Sequence, residues 1–342
     1  MILLDNSLSE LTEIFNDVKP YKVKQLYSWL VKGYNFDEMT DLSKEWRKKL
    51  AEEHIACPVT LFRRFESKDG TQKFLYKLSY SNIIEGVLMK YKYGNTLCVS
   101  TQVGCRMGCN FCASTLQGLI RNLTTGEILG QVTAVNRFMG GDTKERQITN
   151  IVLMGSGEPL DNFDNTIKFL QLVNDKQGLN ISMRNISLST CGIPPEMIAL
   201  ADLNFQINLT ISLHSPTQQK RRQIMPISES YPLTSVIEAA KYYFNKTGRR
   251  IIFEYVLIEG VNDSEEDAKQ LSKLTRDMSC HVNLIKLNPV KERSLKPTNT
   301  DNAKQFAKKL TELGVSNTIR RQIGVDIEGA CGQLRRRIIN DE

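Results

Sequence analysis

The sequence predicts an α/β protein, a parallel sheet or barrel that carries a small helical unit at its N-terminus. Two observations point there. From about residue 96 onward, β-rich runs alternate with amphipathic helical stretches, the order that builds a parallel sheet. Chemically distinctive residues also keep falling at the C-terminal ends of those runs, where all strands of a parallel barrel open onto one rim.

Residues 1–57 read as a helical accessory unit. In YKVKQLYSWLVKGYNF, apolar Val23, Leu26, Tyr27, Leu30 and Val31 recur at helix spacing, and Asp41 and Ser43 precede the polar helix EWRKKLAEEH. Residues 58–95 change to alternation, with turn signals at Asp69-Gly70 and Ser81-Asn82, so a β-hairpin region is expected to link this unit to the rest. Residues 96–342 form the main domain. Its strand candidates are LCVSTQV, ITNIVLMG, NISLST, INLTISLH, IIFEYVLI, VNLIKLN and TIRRQ. Between them lie TGEILGQVTAVNRFM, DNTIKFLQLVND, PLTSVIEAAKYYFNKTG, SEEDAKQLSKLTRD and NAKQFAKKLTELG as helices. Cys105 to Cys112 follow the first strand, Gly157-Glu158 the second, Ser189-Thr190 the third and His214 the fourth, while Asn288 closes the sixth.

With 41% hydrophobic and 24% charged residues, the 342-residue chain suits a packed globule rather than a disordered one. No apolar run reaches membrane length, and MILLDNSLSELTEIF places Asp5 and Glu10 among its leucines, unlike a signal peptide. A cytoplasmic setting, away from membranes, is therefore expected; the protein is also expected to be a monomer. In that reducing setting, clustered cysteines are ligands or catalysts sooner than disulfides. The net charge is +7, with basic runs at Lys220 to Arg222, Arg320-Arg321 and Arg335 to Arg337. Together with Lys22, Lys24, Arg63 and Arg64 they suit a phosphate backbone, although each run alone also suits a solvated face.

Four of the eight cysteines, Cys98, Cys105, Cys109 and Cys112, fall within fifteen residues. The C-x3-C-x2-C loop at Cys105, Cys109 and Cys112 is tight enough to wrap an iron–sulfur cluster and leave one iron open. Two other readings exist: Cys98 as the fourth ligand of a structural zinc in a non-catalytic RNA-binding module, or an electron-transfer cluster with a distant fourth cysteine.

This loop, with Phe111 before its last cysteine, resembles the signature of radical S-adenosylmethionine enzymes. GCRMGCNFCASTLQGLIRNLTTGEI, VLMGSGEPLDNF, SLSTCGIPP, SLHSP and DIEGACGQL together resemble the RlmN/Cfr family of RNA methyltransferases over nearly the whole chain. The resemblance implies a partial (βα)6 barrel and one 4Fe-4S cluster on Cys105, Cys109 and Cys112. It also implies two S-adenosylmethionine molecules per turnover, held by Gly157, Glu158, Ser189, Ser212, Leu213, His214 and Asn288. Cys331 would carry a methyl group to adenine, and Cys98 would resolve the RNA adduct by taking the ring proton, the two sulfurs ending as a disulfide.

Glu85 matches a family position assigned as a proton acceptor, although its hairpin place also suits an exposed strand charge. Nearby Arg335 or Arg336 would favour the Cys331 thiolate. The implied reaction is methylation of adenine carbon 2 in 23S ribosomal RNA and next to the transfer RNA anticodon, with flavodoxin or ferredoxin as electron donor. The related carbon-8 reaction of Cfr-like enzymes is the alternative. CASTLQGLIRNL is closer to the carbon-2 group, and Cys191 stands where serine is common in the family.

Overall fold

The computed structural model describes residues 1–79 and 82–335. Ser81 of the second turn signal, and Arg336 and Arg337 of the tail, lie outside them. The N-terminal helices are α1 (Leu8–Ile14), α2 (Pro20–Leu30) and α3 (Lys44–Glu53). A capping box opens α1: Ser7 Oγ accepts the Glu10 N–H, and the Glu10 carboxylate accepts the Ser7 N–H at 2.7 Å. Pro20 supplies the first turn of α2, where its missing N–H costs nothing.

Four strands follow: β1 (Val59–Glu66), β2 (Gln72–Leu78), β3 (Ile83–Tyr91) and β4 (Gly94–Cys98). A separate small ribbon pairs β5 (Gln102–Gly104) with β6 (Leu119–Asn122). The alternating part then runs α4 (Thr125–Phe138), β7 (Asn150–Leu153), α5 (Phe163–Asn174), β8 (Ile186–Thr190), α6 (Pro194–Asp202) and β9 (Asn208–Ser212). It continues with α7 (Gln218–Ile224), α8 (Leu233–Thr247), β10 (Ile251–Leu257), α9 (Glu265–Thr275), β11 (Cys280–Lys286), α10 (Thr300–Glu312) and β12 (Asn317–Ile319).

One ten-stranded sheet takes the order β1-β2-β3-β4-β7-β8-β9-β10-β11-β12. From β4 onward every pairing is parallel, so β4 and β7 to β11 make the six-strand partial barrel and β12 adds a short seventh strand. The hairpin strands β1 to β3 extend this same sheet antiparallel through the β3–β4 pairing. LCVSTQV, expected as one strand, breaks after Cys98 and re-enters pairing only at Gln102, in the small ribbon. Helices α6 and α7 and strand β6 were not expected; all are short, and α6 follows the Pro194-Pro195 pair.

Apolar residues of the helical unit, including Leu11, Val23, Leu26 and Leu30, join the barrel's core rather than forming one of their own. Polar ties reinforce the seam: Gly126 N–H donates to Asp5, and Tyr27 Oη donates to Asp175 at 2.9 Å. Another tie, inside the barrel, corrects the reading of a basic run. Arg221 is fully buried, not a phosphate contact, and donates to Ser228 Oγ (2.9 Å) and to the carbonyls of Leu213 (3.1 Å), Cys191 (2.5 Å) and Ser212 (3.2 Å). Its neighbours are also engaged, Lys220 with Asp267 at 2.7 Å and Arg222 with Glu229 at 3.2 Å. Arg221→Ala orphans these acceptors and opens a void. It should lower stability by about 3 kcal/mol or more, read as a fall in the urea midpoint. A change under about 0.5 kcal/mol, typical of exposed sites, would contradict this role.

Candidate active site

The rim at the C-terminal strand ends encloses a cleft of about 930 Å³, open solvent at its mouth included. Cys105, Cys109 and Cys112 all line it, on the loop between β5 and β6. That loop is fastened from several sides. Asn110 N–H and Nδ2 donate to the carbonyls of Ile224 (2.9 Å) and Gln223 (2.6 Å), so α7 holds one flank. Thr115 Oγ1 donates to the Cys112 and Cys109 carbonyls at 3.0 and 3.1 Å, and Arg293 donates to Thr115 Oγ1 at 3.0 Å.

All three thiols are free of disulfides. Burial raises each of them, Cys105 to about 12, so ligand binding here must expel protons. Among the described residues no three His, Cys, Asp or Glu side chains converge tightly enough for a single metal ion. A four-cysteine zinc site would need Cys98 beside the loop thiols, and Cys98 instead lines a second cavity that none of the three loop cysteines lines. Three cysteines facing a shared cleft suit the three-thiolate ligation of a cluster.

The other expected cofactor residues surround the same space. Gly157, Glu158, Ser189, Ser212, His214 and Asn288 line the cleft. Gly157 has φ +110°, and a Cβ there would stand 2.7 Å from the Gln102 backbone N, so only glycine fits. Glu158 is buried, accepts the N–H groups of Cys191 (2.7 Å) and Leu160 (3.0 Å), and has its carboxyl raised by burial against those hydrogen bonds. His214 is pushed down to about 3 by burial, so its ring is neutral; Nδ1 accepts the Val256 N–H at 3.0 Å and Phe111 packs edge-on at 4.7 Å. Leu213 departs from this set. Its side chain is wholly buried in the core, away from the cleft lining, and its place in the motif serves Arg221 through its carbonyl.

Cys331 lines the cleft and also a second cavity of about 620 Å³, whose wall includes Cys98, Met154, Asn288 and Arg320. The methyl-carrier and resolving candidates thus face one space next to the cluster loop. Asn288 Nδ2 donates to the Cys331 carbonyl at 3.0 Å, and Ala113 N–H donates to the Gly332 carbonyl at 2.7 Å, tying the Cys331 loop to the cluster loop. Cys98 is buried, which pushes its thiol up to about 12. Cys331 is exposed at the cavity mouth, yet its protein surroundings also raise its thiol.

The cation that counters this rise is Arg320, not Arg335: Arg335 pairs with Glu292 at 2.7 Å. Arg320 also pairs with Glu254 at 3.2 Å. Glu254 lines the cleft and was missed from sequence, although a carboxylate inside the apolar run IIFEYVLI was its signal. Glu85 is not the exposed strand charge considered for it. It is 0% exposed, 3.7 Å from Lys73, and accepts the Arg335 N–H at 2.9 Å.

Comparisons with known proteins show what the chain is similar to. Residues 99–272 match the model of the radical SAM superfamily, and residues 1–56 match that of the ribosomal RNA large subunit methyltransferase N-terminal domain. The chain is 49% identical to a probable dual-specificity RNA methyltransferase RlmN of Clostridium perfringens, over 99% of this chain and 98% of that one. It is 47% identical to the like-named protein of Clostridium novyi, over 99% of each. The crystal structure of a radical SAM methyltransferase from Sphaerobacter thermophilus superposes with TM-score 0.94 at 40% identity, covering 98% of this chain and 99% of that chain. Cys109→Ala should leave protein purified without oxygen nearly free of iron and sulfide, while its far-ultraviolet circular dichroism stays unchanged. Iron content equal to the parent's would contradict the role of this loop.

Proposed function

The chain belongs to the RlmN family of radical S-adenosylmethionine RNA methyltransferases, and from that premise we propose that it methylates adenine carbon 2 in 23S ribosomal RNA and in transfer RNA. The observation that carries this reading is the shared cavity of Cys98 and Cys331, joined at Cys331 to the cleft of the three-cysteine loop. Carbon 2 is electron-poor and cannot attack a methyl sulfonium, so the transfer needs the radical chemistry that an iron–sulfur cluster and S-adenosylmethionine supply when bound. The protein then works in the cytoplasm on structured RNA, with a low-potential flavodoxin or ferredoxin as electron source and as a monomer.

Cys105, Cys109 and Cys112 hold the cluster, and Glu158 takes the ammonium of the cofactor with charge-assisted hydrogen bonds. Gly157, Ser189, Ser212, His214 and Asn288 seat the rest. Cys331 accepts a methyl group and presents it to the base. Cys98 takes the carbon-2 proton as the radical adduct gives its one excess electron back to the electron carrier. When the two sulfurs then join, the bond between product and Cys331 breaks, its electron pair passes to the product's methylene carbon, and the proton on Cys98 goes there to complete the methyl group. Covalent attachment through a residue of the chain divides one difficult transfer into easier steps. The target adenine must leave its stack to enter the second cavity, because carbon 2 is enclosed by neighbouring bases.

Nucleoside analysis of RNA treated with the reduced, reconstituted protein should show 2-methyladenosine; 8-methyladenosine would instead establish the Cfr-like reaction. Cys331→Ala should carry no methyl on the protein and give no product, whereas Cys98→Ala should accumulate a covalent RNA adduct. Normal turnover of the Cys98 variant would overturn its assignment. A base must be deprotonated to act, and burial holds the Cys98 thiol up near about 12. Adduct resolution should therefore quicken about tenfold per pH unit through the neutral range. A flat profile would remove Cys98 from that step.

A further inference from the structure

We infer that Glu85 is a positioning residue, and that its buried pair with Lys73 is the fixed point that seats the Cys331 loop against the active site. The inference rests on the proposed role of Cys331 as methyl carrier, and it gives Glu85 a task other than proton acceptance.

Lys73 on β2 and Glu85 on β3 lie diagonally on one face of the hairpin, since Lys73 pairs with Val87 and Leu75 with Glu85. Their side chains are 2% and 0% exposed, and Nζ stands 3.7 Å from Oε1. Each also reaches into the C-terminal segment, at opposite ends of the same loop. Lys73 Nζ donates to the Glu328 carbonyl at 3.3 Å, and Glu85 Oε2 accepts the Arg335 N–H at 2.9 Å. Cys331 lies between these two anchors.

The turn between β1 and β2 grips the chain just before them: the Gly324 N–H donates to Asp69 at 2.8 Å, and Ser67 Oγ donates to Asp326 at 2.6 Å. Residues 324–335 therefore lie along the hairpin as along a rail. Beyond Cys331, Ser114 Oγ donates to the Leu334 carbonyl at 2.6 Å, so the same segment is tied to the cluster loop as well.

A proton acceptor must come within hydrogen-bond reach of the substrate. Glu85 lines neither the cofactor cleft nor the cavity shared by Cys98 and Cys331. A buried, paired carboxylate that accepts a backbone N–H instead fixes register, the use for which buried ion pairs are best attested. Methyl loading of Cys331 and hydrogen transfer from it both need the sulfur within a narrow geometry, which is what such a support provides.

The test compares two double variants that both remove the buried charges. In Lys73→Met with Glu85→Gln, the amide oxygen still accepts the Arg335 N–H. In Lys73→Met with Glu85→Met, a side chain of similar size accepts nothing useful. Two readouts are taken on the full-length, cluster-loaded protein: methyl occupancy of Cys331 by peptide mass spectrometry, and backbone hydrogen exchange of residues 328–335.

The glutamine variant should load Cys331 close to the parent level. The methionine variant should lose roughly tenfold or more in loading and exchange faster in that segment, as expected when a hydrogen bond to a buried acceptor is lost. Arg335→Pro removes the donor from the other side and should behave like the methionine variant, even where changes on the hairpin impair folding. Equal loading and equal exchange in all three, with RNA product absent, would overturn the inference in favour of proton acceptance. A parent protein that never carries methyl on Cys331 would instead count against the proposed function, while the exchange comparison would still decide the role of Glu85.

Discussion

Parallel strands that end on one rim are the constraint on which the rest of this molecule depends. Because β4 and β7 to β11 all run the same way, the loops after them open together, however far apart they lie in sequence. The cysteine loop beyond β5, Glu158 after β7, Ser189 on β8, Ser212 on β9, Glu254 on β10 and Asn288 after β11 thereby share one cleft. The chain then returns along the hairpin to bring Cys331 to that cleft from outside the barrel. Two independent segments, one built into the barrel and one laid across it, complete the site.

Burial sets the chemistry of this site as much as proximity does. The thiols of Cys98, Cys105, Cys109, Cys112 and Cys331 are all raised by desolvation, which favours the protonated form of each. Arg320 opposes this rise at Cys331 while it is paired with Glu254, so the cation beside Cys331 is itself countered by a buried carboxylate. The same low-dielectric surroundings keep His214 neutral beside the cluster loop, as an imidazole that accepts from Val256 rather than a charge.

Much of this was legible in the sequence, and the misses have physical causes. Continuous apolar runs such as IIFEYVLI read as buried parallel strands because both of their faces are covered. LCVSTQV broke after Cys98 because Ser100 and Thr101 turn to partners outside the strand ladder, distant in sequence: Ser100 N–H donates to the Gln131 side chain, and Thr101 N–H to the Ser156 carbonyl. Periodicity was too short to reveal the seven-residue α7 or the four-residue β6.

Charge runs were the least legible feature. Lys220, Arg221 and Arg222 look alike on paper, but Arg221 points into the barrel while its neighbours pair with Asp267 and Glu229. A carboxylate inside the apolar run IIEGVLM hinted that Glu85 is buried, as for Glu254, but its partners Lys73 and Arg335 lie elsewhere in the chain and its pairing was not legible. The cysteine spacing, by contrast, was fully local, and the fold set those thiols at the head of the cleft.

The central claim is that the transferred methyl passes through Cys331, and a pulse–chase experiment addresses it most directly. Protein already methylated on Cys331 with ordinary isotope is given S-adenosylmethionine bearing a deuterated methyl group, a reductant and RNA, and the first product formed is weighed. An unlabelled methyl on adenine in the first turnover, with label arriving only in later ones, is the predicted result. A fully labelled methyl in the first turnover would mean that transfer bypasses Cys331.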